Sequence, residues 1–139
     1  MTFPRRTWAR AYCLLAGLCD ASTGLLLVAL PAPTLALMRI PRAPVELVWL
    51  QWIGVFVGAV GLAYLYPFVL GSEGRDERLK TVLEITAGVR LAVGVFVLWA
   101  VGSGRLPAPW LSVAATDLLL AAVQLWLLWA GTLSGKERG

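Results

Sequence analysis

Residues 81–101 read TVLEITAGVRLAVGVFVLWAV, twenty-one residues that are apolar except for Glu84 near one end, Arg90 at the centre and two threonines. As an α-helix this stretch is about 31 Å long, enough to cross a bilayer hydrocarbon core of about 30 Å. Three further stretches have the same character. Ala11 to Leu30 carries only Asp20, Val45 to Leu70 has Glu46 at its edge, and Pro107 to Gly131 carries Asp117. The 139 residues are 59% hydrophobic and 14% charged, against about 45–50% and about 25% in soluble domains. One small globule cannot hide that much apolar surface, so lipid must solvate much of it. The expected fold is all-α: a single domain, an integral-membrane bundle of four transmembrane helices over about 11–30, 45–70, 81–101 and 107–131.

Punctuation agrees with four spans. Pro31, Pro33, Pro41 and Pro44 fill the first connection, Gly71-Ser72-Glu73-Gly74 opens the second, and Gly102-Ser103-Gly104 the third. Short connections make consecutive helices antiparallel, up-down neighbours, with the first span beside the fourth in a ring. Between the prolines, Thr34 to Arg39 suits either a short interfacial helix or an ordered loop.

Lys and Arg set the orientation. Arg5, Arg6, Arg10, Arg75, Arg78, Lys80, Lys136 and Arg138 belong to one side, and only Arg39, Arg42 and Arg105 to the other. The positive-inside rule places both termini in the cytoplasm. Every Trp and Tyr falls near an expected interface, as amphipathic rings prefer: Trp8, Tyr12, Tyr64, Tyr66, Trp126 and Trp129 near cytoplasmic ends, and Trp49, Trp52, Trp99 and Trp110 near outer ends. The first span reads as a permanent helix, because no small-x-small cleavage site follows its apolar run. Leu18 also occupies the position before Cys19 where a lipobox needs a small residue.

A net charge of +4 and a pI near 9.6 do not indicate nucleic acid, since the basic residues cluster at the ends of apolar runs. Histidine is absent, which excludes bis-histidine haem, His-ligated zinc and triads that need an imidazole. Cys13 and Cys19 are six residues apart on one helix, about 120° around it, and read as two small core residues. No cofactor is implied, and no catalytic constellation stands out.

Three charges remain unexplained by interfaces. Asp20 lies ten residues past Arg10, Arg90 ten past Lys80 and Asp117 ten past Pro107, each about 15 Å from its helix end and so near the midplane. A lone charge there costs at least about 2.5–3.5 kcal/mol. A guanidinium can bond two carboxylates, so an Asp20–Arg90–Asp117 cluster is expected, either structural or serving a proton or ligand. With all three ionised it carries one negative charge. Gln124 lies seven residues past Asp117 on the same face. Together with Glu84 it gives a possible polar path toward the cytoplasm, alongside the plainer reading of an interfacial Glu84 and a backbone-bonded Gln124. Gly54 and Gly58 form a G-x-x-x-G step extended by Gly61, and Gly17 and Gly24 flank Asp20; small residues let helices approach closely.

Glu84, Gly88, Leu91 and Gly94 form an E-x-x-x-G-x-x-L-x-x-G string. It resembles the glycine-rich helix of DoxX-like four-helix bacterial membrane proteins, although the string usually falls on an earlier helix there. The resemblance implies a bacterial inner-membrane protein associated with quinone-linked oxidation or redox-enzyme maturation. With soluble parts too short to form a domain and no cofactor ligands, the expected function is a non-catalytic accessory or structural subunit of a larger membrane complex, a redox one as the resemblance implies, its partners lipid and other subunits or further copies of itself. The alternatives are a small transporter or proton conductor using the charge cluster and, behind these, a membrane enzyme or quinone-binding redox protein.

Overall fold

A computed structural model describes residues 5–40 and 46–133. Among these residues there are five α-helices and one 3₁₀ turn: α1 Arg5–Ala29, α2 Pro31–Leu37, α3 Leu47–Val69, α4 Arg75–Gly102, the turn Ala108–Trp110, and α5 Leu111–Trp129. No strand occurs among them. Four segments are long and apolar enough to cross a membrane, and the chain is a multi-pass membrane protein. The readings that rest on Pro41, Arg42, Pro44, Val45, Lys136 and Arg138 lie outside the described residues.

The helices overrun the apolar spans at their charged ends. α1 begins at Arg5 and α4 at Arg75, so Arg75, Arg78 and Lys80 lie on a helix and not in a loop. Gly74 supplies the left-handed backbone (φ 62°) that starts α4, and Asp76 and Glu77 in the first turn complement the helix dipole. Asp76 also ties α4 to α1, taking Arg6 Nε at 3.2 Å and Arg10 Nη2 at 2.8 Å. Pro67 lies inside α3 near its end, where it removes one N–H from the helix ladder. Arg75 Nε donates to the carbonyls of Pro67 and Gly71 there, satisfying acceptors that the ending helix leaves open.

The first connection is more ordered than its prolines suggest. Pro31 and Pro33 stand in the first turn of α2, which needs no N–H donors, so the short helix covers Pro31–Leu37 instead of 34–39. Thr34 Oγ1 donates to Leu30 O at 2.6 Å, joining α2 to the end of α1. Leu35 and Ile40 then pack with Leu50 of α3, flanked by Met38 and by Trp110 of the turn before α5.

Packing divides the four long helices into two close pairs. In the α1–α3 pair, Gly17 faces Tyr64 and Leu65, Ala21 faces Gly61, and Gly24 faces Gly54 and Gly58. The numbers rise on one helix as they fall on the other. A Cβ on Gly24 would stand 2.6 Å from Gly54 O, and one on Gly61 would stand 2.8 Å from both Ala21 Cα and Gly17 O. The glycines therefore press backbone against backbone, and the partner of the Gly54–Gly58–Gly61 stripe is α1 of the same chain. In the second pair, Gly94 of α4 receives Leu118 of α5. The pairs join around Ala9, Cys13 and Ala16 (α1), Tyr64 (α3), Leu79 and Leu83 (α4), and Leu127 and Leu133. Cys13 belongs to this core, but Cys19 is exposed, because its position on α1 turns it away from both neighbours.

Gly24→Ala should lower stability by about 1–3 kcal/mol through overpacking, whereas Gly88→Ala, whose Cβ meets nothing within 4 Å, should not lower it. Unfolding midpoints of the two variants in one detergent check the contrast.

Candidate functional site: a buried Asp–Arg–Asp cluster

Each helix brings its charge inward beside small residues. Asp20 lies between Gly17 and Gly24 on α1, at the margin of the α3 seam. Arg90 shares a face of α4 with Thr86, Ala87 and Gly94, all buried. Asp117 lies on α5 between buried Ala114 and Ala121. These short side chains leave room for the long arginine.

The arginine spans the gap between the helix pairs. Arg90 Nη1 donates to Asp117 Oδ1 at 2.6 Å, and Arg90 Nη2 donates to Asp20 Oδ2. One guanidinium thus holds α1 and α5 to α4 by two charge-assisted bonds, the stronger kind of hydrogen bond. Its side chain is 6% exposed, against 15% for Asp20 and 16% for Asp117. The fourth long helix takes part through Tyr64, whose ring centroid is 6.0 Å from Arg90 Cζ, within cation–π range.

Tyr64 opens a second polar group that the sequence reading did not find. It is fully buried, not interfacial, because it follows Gly61 by three residues on the inward face of α3. Gln124 is also fully buried; its Nε2 donates to the Tyr64 hydroxyl and, at 3.4 Å, to Thr86 Oγ1. Thr86 Oγ1 in turn donates to Val82 O at 2.6 Å. Tyr12 packs edge-on against Tyr64, ring centroids 6.5 Å apart, and its hydroxyl donates to Leu120 O at 3.3 Å. Thr86 stands four residues before Arg90 and Tyr64 one turn past the glycine stripe; these offsets carry the signal.

Glu84 does not belong to this group. Its side chain is 54% exposed and faces Lys80 Nζ at 3.9 Å. Six residues from Arg90, it is turned about 120° away from the cluster. The possible path through Glu84 therefore does not form, and Glu84 takes the plainer, outward-facing position. From the cluster the polar groups run through Tyr64 to Gln124 and Thr86, and beyond them the same helix faces carry Leu83, Leu79 and Leu127, all buried. The described residues contain no group of three or more His, Cys, Asp or Glu able to hold a metal.

Comparison with protein families, with curated proteins and with solved structures finds no match.

Arg90→Met should cost about 3–5 kcal/mol, since removing one partner strands buried charge. Tyr64→Phe should cost about 1–3 kcal/mol by removing the nearer partner of the buried Gln124 amide, and Glu84→Gln should stay within about 0.5 kcal/mol. Unfolding free energies in micelles give the order.

Proposed function

We propose that this chain is a non-catalytic accessory or structural subunit of a larger membrane complex. The observation that carries the reading is where the interior polar groups end. They pair with one another across all four long helices, then stop against Leu79, Leu83 and Leu127. Such an arrangement fixes which helix faces which, a common use of polar groups between membrane helices. The outward surface offers aromatic area for contact. Trp49, Trp52 and Phe56 stack edge-on along α3, with centroid separations of 6.1 and 5.0 Å, and Phe96 and Trp99 pair on α4.

The setting that fits this role is a bacterial inner membrane, with up-down helices and both termini cytoplasmic. The excess of eight Lys and Arg on one side over three on the other supports that orientation. The DoxX-like string supports a redox complex as the partner. Within it Gly94 is packed against Leu118, Gly88 has open space around it, and Glu84 and Leu91 face outward; the last two are free for contacts outside the chain. A second reading, a small transporter or proton conductor, is favoured by the partial exposure of Asp20 and Asp117 at mid-helix.

Purification in a mild detergent should yield the chain with stoichiometric partner subunits, identified by native mass. Recovery of the chain alone, together with proton flux in liposomes that Asp117→Asn abolishes, would replace this reading with the second.

A further inference from the structure

The Asp20–Arg90–Asp117 cluster has one more carboxylate than its arginine neutralises. Asp20 comes from α1 and Asp117 from α5, and each bonds Arg90 through a single oxygen. The rings beside the guanidinium are tyrosines: Tyr64 from α3 against Arg90 and, packed on Tyr64, Tyr12 of α1. No second cation faces the cluster from any of the four long helices among the described residues. Lys80, ten residues from Arg90, pairs with outward-facing Glu84, and Arg6 and Arg10 are engaged by Asp76. The guanidinium itself is not saturated either. Arg90 is 95% buried by area, being 5% exposed, yet its Nε–H has no acceptor. The cluster thus lacks a balancing positive charge, and its guanidinium keeps one N–H without a partner.

We propose that the cluster is a binding site for one exchangeable proton, taken up by one of the two carboxylates. Uptake converts a carboxylate to a carboxyl group with no redox change and leaves one ionised Asp opposite the ionised Arg90. The net charge then falls from one negative to zero. Transfer of an uncompensated charge into a low-dielectric setting is far more costly than protonating it. The unengaged oxygens, Asp20 Oδ1 and Asp117 Oδ2, are the acceptors. Their side chains are 15% and 16% exposed.

The count of carboxylates makes a sharp test, by infrared difference spectroscopy of the full-length chain in lipid at neutral pH. The wild-type protein should show a protonated-carboxyl C=O band that shifts in heavy water. Asp20→Asn and Asp117→Asn should each lose it, because the one remaining carboxylate already balances Arg90; both variants keep a neutral pair and so should fold. Glu84→Gln should retain it. Absence of the band in the wild-type protein, or its survival in either Asp variant, overturns the proposal. If an Asp variant does not fold, labelling of the wild-type protein with a hydrophobic carbodiimide decides: modification at Asp20 or Asp117 supports the proposal, and modification at neither overturns it.

Discussion

The bundle depends on a guanidinium placed where water cannot solvate it. Arg90 has no route to a bilayer surface from the middle of α4, so its fork must find acceptors inside the protein. It finds them on the two helices that come earliest and latest in the chain. That requirement fixes the rotation of α1, α4 and α5 together, since turning any one of them would leave a charge facing hydrocarbon. Tyr64 adds α3 to the same arrangement by placing its ring beside the guanidinium. Apolar packing alone would set these rotations weakly, because one leucine face resembles another when lipid is the solvent.

Glycine does the complementary work. Between α1 and α3 the contacts are backbone to backbone, and they need no polar group to be specific. In the α4–α5 pair Gly94 receives Leu118, and Arg90 bonded to Asp117 adds a polar tie. The two seams therefore differ in what holds them. The first is set by shape, the second by shape and charge jointly.

The four spans were legible because length and hydropathy are sufficient to define a membrane helix. The meeting of Asp20, Arg90 and Asp117 followed from depth, as each lies ten residues inside its span. Helix ends were harder to read. Charged residues 75–80 carry no hydropathy signal, yet nothing in them breaks a helix, and the dipole favours Asp76 and Glu77 where they stand. Rotation about the helix axis was the harder quantity still. Tyr64 looked interfacial by depth, but its offset from Gly61 turns it inward. Glu84 looked like part of a path by type, but its angle from Arg90 turns it out. Cys19 was misplaced for the same reason, since composition ranks a cysteine as buried without saying which way it points.

The closeness of α1 to α3 has a consequence for how the chain comes together during synthesis. Both strips of the glycine seam emerge before residue 70, so the amino-terminal hairpin has its whole interface in hand while the rest is still being made. Asp20 then stands at the margin of that hairpin with no cation to meet it. It stays so until α4 arrives some seventy positions later in sequence. An incomplete chain is thereby marked by a stranded acid in its membrane face, and the arrival of Arg90 removes the mark.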